Sequence, residues 1–214
     1  MPAVPTSEST RLRIAETRAE ARAEATATDR VPVHPLLGAG RSAEVVVVSD
    51  RVARGDREPS GGRLLVEWLR GLGYDCGGPT IVAEGADGQA ARPVLERLLA
   101  PRGVGDTGES RVDPELRAPR LVVTTGGTGI APRNRIPEIT RDLVEFEVPG
   151  IQQALLDHGL RNTPHAALGR GIAGVRGATL LVNLPGSNGG VRDGIAVLTP
   201  LLPQVQSQLE DDCG

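Results

Sequence analysis

Between residues 44 and 209 the chain alternates short apolar runs with segments whose apolar residues recur at helical spacing. Val45 to Val48 is an unbroken β-branched run ending in Ser49-Asp50. Such a run predicts a strand buried on both faces, as in a parallel sheet. The next segment, residues 62–72, carries Leu64, Leu65, Trp68, Leu69 and Leu72 at helical spacing, with Gly71 and Gly73 ending it. Trp68 is in phase with the leucines and is expected in the core. Residues 80–83 predict a second strand, and residues 89–99 a second helix with Val94, Leu95, Leu98 and Leu99 on one face. Residues 120–125 (RLVVTT) predict a third strand and 179–184 (TLLVNL) a fourth. Helices are expected near 136–144 and 151–157, and a last one over 190–209, interrupted where Pro200 and Pro203 lack backbone donors.

Strands alternating with helices imply βαβ crossovers. The expected fold class is therefore α/β, with a mostly parallel sheet covered on both faces. Two segments depart from the pattern. Residues 1–42 are expected to form a flexible tail, because residues 14–28 (IAETRAEARAEATAT) offer no apolar stripe to bury. Residues 101–119, polar and rich in Gly and Pro, predict an insertion loop within a domain spanning 43–210.

Composition narrows the function classes. One Trp, one Tyr and one Phe leave little for stacking on nucleic-acid bases, and a net charge of −3 gives no polyanion-binding surface. Two cysteines, Cys76 and Cys213, make neither a disulfide framework nor a thiolate metal site. His34, His158 and His165 share no ligand spacing. There is no apolar run of about 18 residues and no stretch resembling a signal peptide, so a cytoplasmic protein without membrane partners is expected.

In open parallel sheets ligands bind beyond the carboxyl ends of the strands. Three such ends carry distinctive sequence. Thr124-Thr125-Gly126-Gly127-Thr128-Gly129 places hydroxyls and glycines directly after a buried strand, a pattern that exposes backbone N–H groups to an anion. It lacks the lysine of a P-loop and the spacing of a dinucleotide fingerprint. Leu184-Pro185-Gly186-Ser187-Asn188-Gly189-Gly190 repeats the device before the last helix, where Ser187 or Asn188 can cap and the helix dipole favours an anion. At Ser49-Asp50-Arg51, Asp50 is expected to hold the loop and Arg51 to pair with it. Arg133 and Arg135, beside the first glycine loop, are candidates for phosphate contact, as are Arg170 and Arg176.

These landmarks resemble the MoaB/Mog family, the molybdopterin-binding proteins of molybdenum-cofactor biosynthesis. The similarity runs from about residue 44 to 209 through VVVSDR, GRLLVEWLRGLGY, LVVTTGGTGIAPRNRIPE, EVPG, RGIAGVRG and LVNLPGSNGGVRDG. It implies a three-layer α/β sandwich, a trimer or hexamer, contact with other proteins of the pathway, and molybdopterin as ligand or substrate. In catalytic members it also implies ATP and Mg2+, with AMP transferred onto the terminal phosphate of molybdopterin. The substrate-binding residues carried over are Ser49, Asp50, Arg51, Thr124, Thr125, Gly126, Gly127, Thr128, Gly129, Arg133, Pro185, Gly186 and Ser187.

The departures from the family pattern fall on the rim. Catalytic members have an aspartate where this chain has Glu84, the implied metal ligand, and another where it has Asn134. A serine is usual at Gly169 and an aspartate near Pro59. A neutral amide is a much poorer magnesium ligand than a carboxylate. Three functions follow as alternatives: an adenylyltransferase acting on molybdopterin, a molybdopterin carrier without transferase activity, and a binder of another phosphorylated small molecule.

Overall fold

The computed structural model describes residues 37–100 and 118–211. The expected tail, apart from its last six residues, and all but the end of the expected insertion loop lie outside them.

The elements follow in the order β1 (Ser42–Val48), α1 (Asp50–Ala53), α2 (Ser60–Gly71), β2 (Asp75–Cys76), β3 (Thr80–Val82), α3 (Arg92–Leu99), β4 (Leu121–Thr125), α4 (Ile136–Leu143), β5 (Phe146–Glu147), α5 (Pro149–Asn162), a 3-10 turn (Pro164–Leu168), β6 (Ala173–Arg176), β7 (Thr179–Leu184) and α6 (Asn188–Asp211). The sheet runs β2-β1-β4-β7-β6-β5, with β3 also on β1. The pairings of β1 with β2, β3 and β4, and of β4 with β7, are parallel. β6 and β5 continue antiparallel.

Both faces of the central strands are buried, which is why they read as continuous apolar runs. Along β1, Ala43, Val45 and Val47 pack toward α2, α5 and α6, where they meet Leu65, Leu69, Ile151, Val191, Leu198 and Leu202. Val46 and Val48 face the opposite way, onto Leu95 and Leu98 of α3 and Ile136 and Ile139 of α4. The result is three layers, with the sheet in the middle. Each fully buried leucine contributes about 1.5–3 kcal/mol of transfer energy. Close approach is built in at Gly62 of α2, where a Cβ would lie 2.4 Å from Val47 Cγ2. A valine there would push α2 off the sheet.

Three expectations change. Trp68 is half-buried at the edge of its cluster, and its indole Nε1 donates to Thr199 Oγ1 at 3.0 Å. The last helix is not interrupted: α6 runs through Pro200 and Pro203. Leu198, Leu202 and Gln206 keep its buried stripe in phase across the prolines, and the Thr199 hydroxyl donates to the Ile195 carbonyl at 2.6 Å within the same turn. Packing outweighs the lost backbone donors. β2, β5 and β6 are additional strands; two of them are two residues long, too short for a periodic signal.

The register brings the functional ends level. Val48 pairs with Val82, Val47 with Thr125, and Thr125 with Leu184. The loops after β1, β3, β4 and β7 therefore leave the sheet side by side.

Candidate anion-binding cleft

The two glycine-rich loops are laced together at the carboxyl edge of the sheet. Gly126 has φ +100°, and its N–H donates to the Leu184 carbonyl at 3.1 Å. A Cβ on Gly126 would fall 2.2 Å from the Val48 carbonyl oxygen, and one on Gly186 would come within 3.1 Å of the Gly126 Cα. At Gly126 only glycine permits this approach, and at Gly186 a side chain would be tight. The Thr125 hydroxyl donates to the Pro185 carbonyl at 2.8 Å. The Ser187 hydroxyl accepts from Gly190 N–H at 3.1 Å, which makes it the cap of α6.

Beneath the loops lies a buried polar knot that the sequence reading missed. Asn183 Nδ2 donates to Thr124 Oγ1 at 3.0 Å and to Thr140 Oγ1 at 2.9 Å, and its Oδ1 accepts from Ile172 N–H at 3.1 Å. A lone Asn inside TLLVNL was the available signal, since buried polar groups persist when bonded. Thr124, read as a contact residue, serves here as a foundation.

The cleft above has a volume of about 1020 Å³. Its inner wall is formed by Ser49, Glu84, Thr125 to Gly129, Asn134 and Pro185 to Gly190. Gln152, Asn162, His165 and Asp193 also line it. Asn162 Nδ2 donates to Asp193 Oδ1 at 2.7 Å, and His158 Nε2 lies 3.5 Å from the same oxygen. His165 was not singled out from sequence, because nothing nearby in the chain marks it.

A charged corner sits at the edge of the cleft, which Glu84 and Asn134 line while Asp50 and Arg133, both expected to contact substrate, lie outside that lining. Ser49 caps the short α1 by accepting from Val52 N–H at 3.4 Å. Asp50 Oδ1 accepts from the N–H groups of Glu84 and Gly85 at 2.8 and 3.3 Å, tying β1's end to β3's. Its expected partner Arg51 is exposed and does not line the cleft. Arg133 takes that place, with its Nη1 3.3 Å from Asp50 Oδ2 and its Nε 3.2 Å from Glu84 Oε2. Asn134 Nδ2 donates to Glu84 Oε2 at 3.1 Å. Burial pushes the Glu84 carboxyl above its ordinary value, with Asp50 adding to the shift while Arg133 and Asn134 oppose it.

Two of the other candidate arginines, Arg170 and Arg176, hold structure. Arg170 Nε donates to the Gly129 carbonyl at 2.9 Å, and its other nitrogens donate to the Asn134 carbonyl and to Glu138. Arg176 donates to the Leu143 carbonyl at 3.0 Å. Gly127 lines the cleft with its backbone. At φ +64° its Cβ would meet Ile136 Cγ1 at 2.7 Å, so a side chain there would enter the core rather than the space of a ligand.

Among the described residues no three His, Cys, Asp or Glu side chains are grouped to hold a metal ion. Magnesium favours oxygen donors, carboxylates above all. Here the two carboxylates are bridged by a guanidinium and the third position presents an amide N–H, so the residues present do not fit a resident divalent cation. No helix among the described residues is long and apolar enough to cross a membrane.

A family model described as "Probable molybdopterin binding domain" matches residues 105–204. The chain is 36% identical to the molybdopterin biosynthesis enzyme MoaB of Thermus thermophilus, with a TM-score of 0.62 over 79% of this chain and 96% of that one. The chain belongs to the MoaB/Mog family. It is also 34% identical, over 84% of its length, to the molybdenum cofactor biosynthesis bifunctional protein of Synechococcus elongatus, of which it spans 50%. A 67-residue stretch is 39% identical to the molybdopterin adenylyltransferase of Helicobacter pylori, covering 31% of this chain and 38% of that protein. The matched segments thus span half or less of the curated relatives. Within the MoaB/Mog fold, the laced glycine loops line the cleft together with Glu84 and Asn134.

Proposed function

We propose that this protein binds molybdopterin in the cleft and that its transfer of AMP onto molybdopterin is weak or absent. The observation that carries the binding is the pair of laced glycine loops. Their backbones are held by Thr125 and Arg170, and the second loop opens the 24-residue helix α6. Backbone N–H groups fixed in this way receive a phosphate without reorganising, with the helix dipole behind them. A cleft of about 1020 Å³ leaves room for the pterin beside the phosphate. Weak transfer is supported by the corner, where Asn134 is neutral and Arg133 sits across Asp50 and Glu84. The protein then acts as a carrier within the cofactor pathway, in the cytoplasm and as a homo-oligomer. Light scattering on a trimer would give three times the 22.4 kDa of one chain.

A second reading, adenylyl transfer from ATP with Mg2+, is favoured by the name of the Helicobacter relative and by the convergence of Asp50 with Glu84. Binding and turnover measured together separate the two. Saturable molybdopterin binding with no AMP transferred from ATP is the expected result. Rapid transfer establishes the second reading. Failure to bind any pterin, with binding of another phosphorylated metabolite, overturns both.

A further inference from the structure

Arg133 is placed as a metal ion would be. Asp50 comes from the end of β1, Glu84 from the end of β3 and Arg133 from the loop after β4, so three separate segments deliver these charges to one point. The carboxylate side chains are largely shielded, 19% and 16% exposed, whereas Arg133 reaches in from a position 58% exposed. Two like charges brought this close and partly shielded from water repel each other unless a cation lies between them. Asp50 Oδ1 is already engaged by two backbone N–H groups, and the remaining contacts to Asp50 Oδ2 and Glu84 Oε2 come from different nitrogens of one guanidinium. Asn134 adds a further N–H to Glu84 Oε2. A six-coordinate ion would need these oxygens turned toward a common centre, and would lie against the guanidinium's positive charge.

We infer that Arg133 is the resident cation of the Asp50–Glu84 pair: it excludes a divalent metal from this corner, so a phosphorylated ligand is bound here without one. The part concerning the ligand rests on the molybdopterin reading; the part concerning the metal does not.

Mn2+ alone is the probe, titrated into the full chain and followed by the electron paramagnetic resonance of the free ion. The unmodified protein should bind no Mn2+ with a Kd below about 1 mM, the weak end for oxygen-ligand sites. Arg133→Met should open a site at least about tenfold tighter. Adding Glu84→Gln should close it again, and Arg133→Lys, which keeps the charge, should behave as the unmodified protein does. Arg133→Gln repeats the measurement should the methionine variant fold poorly. Submillimolar Mn2+ binding by the unmodified protein that Glu84→Gln abolishes would overturn the inference. So would folded Arg133→Met and Arg133→Gln variants that bind no more tightly than the parent. In a second arm, molybdopterin affinity should be equal in EDTA and in Mg2+; a gain of about tenfold with Mg2+ contradicts the inference. Absence of molybdopterin binding would sink the functional reading instead, and leave the Mn2+ titration to decide this one.

Discussion

Replacing Asn134 by aspartate tests the charge balance of the corner directly. Asn134 Nδ2 now donates to Glu84 Oε2 at 3.1 Å, and the Glu84 side chain is only 16% exposed. Asn134→Asp turns that hydrogen bond into an encounter between two carboxylates. Unit charges about 4 Å apart interact by about 4 kcal/mol at an effective dielectric constant near 20. Arg133 and rotation of the new side chain toward solvent should offset about half of this, while the lost hydrogen bond adds about 1 kcal/mol. The net cost is about 2–3 kcal/mol, or roughly 4–12 °C in Tm for a domain of this size. The sign with pH is fixed. Glu84 already lies above its ordinary value of 4.5, and a second carboxylate raises it further. A raised carboxyl loses folded-state stability as pH rises through its pKa, so the penalty should be full near pH 8 and fade toward 4.5. Thermal unfolding of both proteins in EDTA, across that pH range, measures it. A variant that melts within about 1 °C of the parent at the alkaline end, or is equally weakened at every pH, would refute the reasoning.

Glu84→Gln should raise Tm slightly, by about 1–3 °C near pH 7, because the ionised carboxyl is held at a cost; the gain should vanish below the ordinary value of 4.5. Gly126→Ala, at φ +100° with its Cβ 2.2 Å from the Val48 carbonyl, should cost about 3 kcal/mol or more by denaturant unfolding. Asn183→Leu should cost about 2–4 kcal/mol, since it leaves two threonine hydroxyls and the Ile172 N–H without their buried partner. Hydrogen exchange separates this from a simple loss of packing: the Ile172 amide should lose local protection in Asn183→Leu but not in Val182→Ala, which trims a buried neighbour in the same strand.

Much of this site was legible in the chain. Val45 to Val48 read as a strand buried on both faces because both faces are apolar, and Thr124 to Gly129 and Leu184 to Gly190 mark strand ends where Gly126, Gly127 and Gly190 leave no room for a side chain. What stayed hidden depends on contacts between distant segments. Arg133 meets Asp50 and Glu84 only once three strand ends are level, and no local spacing encodes that. β6 contains Gly174 and pairs with a two-residue strand, so its pattern was too short to read. α6 survives Pro200 and Pro203 because Leu198 and Leu202 are wholly buried, a tertiary effect that outweighs local propensity. Asn183 looked like an irregularity in an apolar strand until its partners Thr140 and Ile172 were beside it.

The most direct test of the central claim is the affinity of molybdopterin for the unmodified protein and for Gly189→Asp. Gly189 lines the cleft in the first turn of α6, and a Cβ there meets nothing within 4 Å. An acidic residue at a helix N-terminus favours the helix, so the variant should fold and melt no lower than the parent. Its charge would face the phosphate that the loops are proposed to hold. Saturable binding by the parent, weakened about tenfold or more in a variant of unchanged Tm, is the result expected. No binding by the parent, or equal affinity in both proteins, would contradict a phosphate site at these loops.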